Sequence, residues 1–247
     1  MKSNKKNIKN IWVLGSTSEV ARSICRELAV RGCKHFHLIA RNSVENERFA
    51  DELEQSFGVV VNCQQADLML EASLNSKHIL EVGDFDLYLV TAGSLGDAEL
   101  ARVDAEEALR ITTANYTGLI RWITAIANPE RLNKQSRLWV FSSVAADRGR
   151  PSNYHYGAAK AALTTFCEGL LLRCDGKPFA VRIVKAGFIS TKMTIGKAPA
   201  VLCVSPSYVA KKLLKRPDSR GIEYLPFWWF PLMLLVRLLP SFVASKL

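Results

Sequence analysis

Tyr156 and Lys160 stand four residues apart in a stretch with helical patterning, so their side chains share one face. An amine held beside a phenol stabilises the phenolate and lowers the cost of moving its proton near neutral pH. The same spacing is common on ordinary helices, so it does not by itself mark a proton donor. Ser143 follows a short apolar run, at the edge where parallel-sheet enzymes gather polar groups. Asn115 is the one polar member of a helical stripe of Ala108, Ile111, Leu119, Trp122 and Ile126. An amide in a buried stripe must be hydrogen-bonded.

A second group of residues suits phosphate. Gly15, Ser16, Thr17, Ser18, Glu19, Val20 and Ala21 connect an apolar run to a helix pattern. A tight turn there aims unpaired N–H groups and the helix dipole at one point, which suits a pyrophosphate. Gly15 is the only glycine of the seven, so the fingerprint GxGxxG is absent, and an ordinary turn capped by Ser18 is the alternative. Arg41 follows the second apolar run, where an adenosine ribose would lie. Dinucleotide sites place an acid near there for a free 2′-hydroxyl, whereas a cation suits a 2′-phosphate. The alternative is a solvated surface arginine. Asp67, after the third run, either reaches an adenine edge or caps the next helix. Met193 is read only as lining a cavity.

The elements that must position these groups are legible as periodicities. Apolar runs at 8–14, 36–40, 59–63, 87–91, 138–141 and 179–184 read as six strands. Helical patterns fill 19–31, 44–57, 68–82, 105–127, 154–173 and about 207–215. Alternation at crossover length predicts an α/β domain, a mostly parallel sheet with helices on both faces. One domain over 1–221 accommodates the pattern. Its stretch 186–206, rich in glycine and proline, is a loop over the pocket, and 222–247 is an apolar tail.

Composition excludes several classes. Of the 247 residues, 49% are apolar and 23% charged, which rules out a disordered chain, a collagen-like chain or a disulfide scaffold. The net charge of +10 is unevenly spread: residues 15–184 carry 19 basic and 21 acidic side chains, and residues 185–247 carry ten and two. A nearly neutral body argues against a nucleic-acid partner, as does an aromatic cluster set among aliphatic rather than basic residues. Six cysteines without a CxxC pair, and four scattered histidines, point to reduced thiols in a cytosolic compartment and to no metal centre. The first ten residues have no apolar stretch of the secretory kind.

Together the residues resemble the short-chain dehydrogenase/reductase family. Tyr156-Gly157-Ala158-Ala159-Lys160 matches its tyrosine–lysine motif, and Ser143 stands thirteen residues earlier, where the family has its catalytic serine. Asn115-Tyr116-Thr117-Gly118 matches the helix motif with the fourth active-site residue. Thr91-Ala92-Gly93 resembles the motif closing the fourth strand, and Lys185-Ala186-Gly187, followed by Ile189 and Thr191, the segment over the nicotinamide. The likeness spans roughly residues 8–195. It implies a Rossmann-like doubly wound parallel sheet. It also implies hydride transfer between nicotinamide and a carbonyl carbon, with Tyr156 as proton donor and Ser143 polarising the carbonyl. Lys160 would lower the phenol pKa and hold the nicotinamide ribose, and Asn115 would hold a water linking Lys160 to solvent. Residues 15–20, Arg41, Asp67, Leu68, Ala92, Gly93, Tyr156, Lys160, Gly187, Ile189 and Thr191 would contact the cofactor. Joined to the family, Arg41 favours NADPH over NADH. The chain departs from the family at Glu19 and Ala21, where most members have glycines, and at Lys185, where proline is common.

The tail adds a partner. Residues 225–236 are twelve consecutive apolar residues, short of the ~20 that span a bilayer. Lys211, Lys212, Lys215, Arg216 and Arg220 precede them. This suits an interfacial anchor on an anionic membrane, with packing in a homodimer or homotetramer, or an extension of the core, as alternatives. Turn and tail are similar to those of family members that reduce keto-sugars on polyprenyl phosphate in cell-envelope polysaccharide synthesis. That likeness implies a lipid-linked ketone and a flavin-dependent oxidase partner in an epimerisation, at the cytoplasmic face of the membrane. A steroid or long-chain acyl ketone is the alternative substrate, and a non-catalytic dinucleotide-binding scaffold the alternative role.

Overall fold

β1 (Asn10–Leu14) is buried along Ile11 to Leu14, because a central parallel strand is covered on both faces and needs apolar residues throughout. The computed structural model describes residues 7–70, 84–196 and 199–246. Among them β1 is joined by β2 (His35–Ala40), β3 (Val60–Gln65), β4 (Leu87–Val90), β5 (Arg137–Ser143), β6 (Ala180–Ala186) and β7 (Gly221–Leu225). All pair in parallel, in the order β3-β2-β1-β4-β5-β6-β7. This is the Rossmann-like sheet, and its growth reverses between β1 and β4, which opens a crevice at the carboxyl ends of the strands. The register brings Leu14, Ile39 and Val90 level with one another, and Ser143, Ala186 and Leu225 likewise. The residues that follow them therefore emerge along one edge.

Alternate strand residues feed two cores. Ile11 and Val13 pack with Val20, Ile24 and Leu28 of α1 (Glu19–Val30) and Phe49 and Leu53 of α2 (Ser43–Phe57), at the helical spacing read from the sequence. Trp12 and Leu14 face the opposite core. There they meet Leu119, Trp122 and Ile126, together with Leu163, Cys167 and Leu170.

The continuous helix expected over 105–127 is interrupted. α3 (Ala105–Thr112) passes through a π-helical turn (Thr113–Thr117) into α4 (Gly118–Ile126). The Asn115 amide donates to the Ile111 carbonyl four residues back, the acceptor a regular helix reserves for a backbone N–H, and the turn widens around it. A short α5 (Pro129–Leu132) leads to β5, followed by α6 (Tyr154–Arg173) and, beyond β6, by α7 (Pro206–Leu214). Of the helix expected at 68–82, residues 71–82 lie outside the described residues.

The seventh strand was not legible in the sequence. Gly221–Leu225, which overlaps the start of the expected tail, pairs with β6, and its Glu223 bonds the buried Arg182 guanidinium. After it come α8 (Trp229–Leu238) and α9 (Ser241–Ala244). Trp229 and Met233 are buried with Val144, whereas Phe230, Leu234, Leu235, Leu238 and Phe242 are exposed. No helix among the described residues is long and apolar enough to cross a membrane.

Gly15 turns the chain out of β1 with φ at +89°, and a β-carbon there would stand 2.5 Å from the Ala92 nitrogen. Gly58 ends α2 with φ at +60° and open space around it. Gly58→Ala should cost about 1 kcal/mol for the left-handed backbone alone, and Gly15→Ala at least about 2 kcal/mol more for the clash. Urea unfolding of both variants reads the difference, and equal losses would contradict the close approach.

Candidate active site

Ser143 is the last residue of β5, and its hydroxyl accepts the Ala145 N–H at 3.1 Å. The same hydroxyl faces the Tyr156 phenol and acts to hold its pKa down. Tyr156 lies in the first turn of α6, and that helix descends onto the loop after Ser143 because Gly157 has no side chain: a β-carbon there would be 2.9 Å from the Ala145 carbonyl oxygen. One turn on, Lys160 is buried and donates from Nζ to the Phe141 carbonyl at 3.0 Å. Its Nζ stands 5.9 Å from the Tyr156 ring centroid. Burial lowers the Lys160 pKa to about 8. Burial also pushes the Tyr156 phenol up, opposed by the Ser143 hydroxyl and the Arg150 charge. The neighbours that stabilise the phenolate here are thus Ser143 and Arg150, while the Lys160 amine is held at Phe141.

Asn115 is fully buried in the π turn. Its amide donates to the Ser94 carbonyl at 2.6 Å and to Ile111 at 2.8 Å, and its Oδ1 accepts the Ser94 N–H at 3.2 Å. Asn115 and Lys160 close on the same glycine: a β-carbon at Gly93 would lie 2.7 Å from Asn115 Oδ1 and 3.2 Å from Lys160 Nζ. The structure brings all four sequence-predicted residues, Ser143, Tyr156, Lys160 and Asn115, to the carboxyl edge of the sheet.

The residues predicted to hold a dinucleotide divide by what else they do. Gly15 donates to Ile39 at the end of β2, and Ala92 donates to Leu14 across the switch point. Ser16 is buried and its hydroxyl donates to Asn46 Oδ1, so this side chain ties the turn to α2. Thr17 and Ser18 are half-buried, and Val20 is in the core. Ser18 occupies the N-cap position of α1, yet its side chain makes no capping bond. An uncapped helix start beside a glycine pressed on Ala92 fits a pyrophosphate better than an ordinary capped turn. Arg41 is exposed at the end of β2, with no acid paired to it among the described residues. Asp67 accepts the Met69 N–H at 3.0 Å, so its carboxylate shapes the local turn, and Leu68 packs on Gly118. Ile189 is buried and bridged to Val204, and the Thr191 N–H donates to the Thr194 hydroxyl. Gly187 is overlain by the Trp229 indole, which leaves no room for a β-carbon. A cleft of about 750 Å³ bordered by Ser94–Glu99, Arg110, Lys192 and Met193 opens beside these residues, and Met193 lines it as the sequence suggested.

One buried cluster at the edge was missed. Lys185 Nζ donates to Asp147 Oδ1 at 2.5 Å, and the Tyr224 hydroxyl donates to Asp147 Oδ2 at 2.9 Å. The cluster ties the loop four residues past Ser143 to β6 and β7. The signal was a lysine inside an apolar strand, which requires a partner, although spacing does not identify Asp147 as that partner.

The short chain dehydrogenase family model matches residues 9–201. A Mycobacterium tuberculosis protein described as an uncharacterized oxidoreductase is 31% identical over 241 residues, which cover 96% of each chain. The 3-oxoacyl-[acyl-carrier-protein] reductase of Haemophilus influenzae is 27% identical over 190 residues, 74% of each chain. Among solved structures, a short-chain dehydrogenase from Sphingobium yanoikuyae in complex with NADPH superposes with a TM-score of 0.78. It is 23% identical, and the match covers 89% of this chain and 88% of that one.

The depressed Lys160 pKa has a stability consequence with a fixed sign. Between about 8 and the ordinary 10.5, the unfolded chain holds a proton that the folded chain has lost, so stability rises with pH through that window. Lys160→Met should be more stable than the parent at pH 7, by on the order of 2–3 kcal/mol, and the gap should close towards pH 10.5. Urea unfolding at several pH values measures this, and a gap independent of pH would contradict the burial of a titrating amine.

Proposed function

The chain belongs to the short-chain dehydrogenase family, and on that footing we propose that it reduces a ketone to an alcohol with NADPH. The observation that carries the reading is the convergence of Ser143, Tyr156 and the buried Lys160 amine at the carboxyl edge of the sheet, where Gly157 lets the helix settle on the loop after Ser143. When bound, NADPH supplies a hydride to the carbonyl carbon. The Ser143 hydroxyl holds and polarises the carbonyl oxygen, and Tyr156 gives that oxygen its proton. Lys160, with a pKa of about 8, exchanges protons near neutral pH and replenishes the phenol. Asn115 acts as a positioning residue, since its amide is committed to Ser94 and Ile111.

The uncapped start of α1 takes the pyrophosphate and Arg41 the 2′-phosphate. The Sphingobium yanoikuyae neighbour, a complex with NADPH, supports the same choice. The substrate is a hydrophobic ketone, read as a keto-sugar on a polyprenyl phosphate that a flavin-dependent oxidase supplies. The exposed apolar face of α8 and α9 supports delivery from an anionic membrane surface, the inner face being fixed by Trp229 and Met233. A long-chain acyl ketone is the second reading, favoured by the likeness to a 3-oxoacyl reductase.

Against a panel of keto-sugar, steroid and acyl ketones, Tyr156→Phe should lose at least about 100-fold in kcat while NADPH binding stays within a few fold. Turnover equal to the parent would remove Tyr156 as the acid. Arg41→Ala should weaken NADPH at least about tenfold and leave NADH nearly unchanged, and equal small effects would argue against the 2′-phosphate contact. Because β7 belongs to the sheet, the tail is better tested by substitution than by truncation. Phe230→Gln, Leu234→Gln, Leu235→Gln and Leu238→Gln together should abolish flotation with anionic vesicles. A parent that does not float, or a variant that floats equally, would contradict membrane contact. A variant that falls apart into monomers would assign the face to a subunit interface.

A further inference from the structure

Glu19 is the first residue of α1, where most members of the family have a glycine. Its Oε2 accepts the Lys192 N–H at 2.7 Å, across 173 positions of sequence. The carboxylate is therefore committed to the loop after β6. That loop is knotted on itself: Thr194 N–H donates to the Thr191 carbonyl at 2.9 Å and Ile195 N–H to the same carbonyl at 3.1 Å, while the Thr194 hydroxyl donates to the Ile189 carbonyl. At its base, Ser190 N–H donates to Val204 and Val204 N–H to Phe188. Between base and tip, the Glu19 bond is the only hydrogen bond from residues 191–196 to the body of the domain among the described residues.

The tip also separates two spaces. Lys192 lines the cleft of about 750 Å³ beside Ser94–Glu99 and, on its other side, a cavity of about 380 Å³ between α1 and α2. The latter is bordered by Arg22, Asn42 and Arg48. Arg22 is paired with Glu45 there, whereas Arg48 and Lys192 have no ion-pair partner among the described residues. A loop pinned at this point meets the first residue of α1, directly after the turn from Gly15 to Ser18, and contributes Lys192 to both spaces.

We propose that Glu19 is a positioning residue, a latch that holds the loop after β6 closed over the dinucleotide through the Lys192 N–H and so sets how fast the cofactor leaves. The inference rests on the cofactor reading above and extends it. An acid is suited to the task because at the first residue of a helix its charge is favoured by the dipole, and a carboxylate acceptor makes a stronger bond than a neutral one. A glycine at this place has no side chain to span the gap. The latch also accounts for an acid beside a phosphate site, since the carboxylate is turned to the loop and spent on an N–H.

Two measurements test it in the full-length protein. In the free protein, hydrogen exchange of the peptide containing Lys192 should quicken in Glu19→Ala and stay near the parent in Glu19→Gln, whose amide oxygen still accepts the bond. In stopped flow, NADPH fluorescence should report release about tenfold faster from Glu19→Ala and within about threefold of the parent from Glu19→Gln. Equal exchange in all three proteins, or release that is unchanged or slower in Glu19→Ala, overturns the latch and leaves the cofactor reading standing. Slower release in both variants alike would show that Glu19 acts by repelling phosphate. A parent that binds no NADPH overturns the latch together with the cofactor reading.

Discussion

A lysine amine withdrawn from water is the constraint around which the edge of this sheet is built. Lys160 is 4% exposed, and a charged ammonium there needs acceptors that an apolar core does not offer. The Phe141 carbonyl supplies one at 3.0 Å, from inside β5. Room for the amine comes from Gly93, which has no β-carbon, and from a π turn that carries Asn115 up to the same glycine. Gly157 then lets α6 settle on the loop after Ser143. Each of these local features, taken alone, lowers stability or breaks a regular element. Together they hold a phenol against a hydroxyl with a titrating amine one turn away.

The edge is held by buried ion pairs as much as by apolar packing. Lys185, Asp147 and Tyr224 join β6, the Ser143 loop and β7, with the Lys185 amine 5.4 Å from the Tyr224 ring centroid. Arg182 reaches Glu223 across the same pair of strands, and at the opposite, amino end of the sheet the buried Arg137 pairs with the partly exposed Asp218 at 2.6 Å. Buried pairs of this kind contribute more to a unique arrangement than to net stability, because desolvation offsets most of the Coulomb gain. Their effect here is to make the last strand part of the site. The Trp229 indole then packs over Gly187 and edge-on to Phe188 at 5.4 Å, so the tail that presents an apolar face to its surroundings also backs the segment that follows β6.

The five strands between the two edges were legible because central parallel strands are apolar throughout, β3 at one edge through the short run that begins it, and the helix faces of α1 and α2 because one side of each meets the core. The four residues at the edge were picked out by their resemblance to the family's motifs, since the spacing alone is common on ordinary helices. β7 was hidden because Gly221-Ile222-Glu223-Tyr224-Leu225 lies at the sheet's edge and mixes polar with apolar residues, its Glu223 meeting the buried Arg182 on one face and its Tyr224 meeting Asp147 on the other. The π turn was hidden because a side chain, not a break in periodicity, interrupts the helix. Partnerships across long separations, such as Glu19 with Lys192 or Lys185 with Asp147, leave no local signature. A charge in a buried strand announces that a partner exists and says nothing of where it is.

The central claim, that a hydride and a proton meet a carbonyl at Ser143 and Tyr156, is tested most directly by following the hydrogen itself. NADPH carrying deuterium on C4 is mixed with the ketone panel and the protein, and the product alcohol is analysed by mass spectrometry. One deuterium bound to the carbinol carbon, from one face of the nicotinamide only, is the predicted result. Unlabelled alcohol, or no alcohol from any ketone while the deuterated cofactor is demonstrably bound, would contradict it.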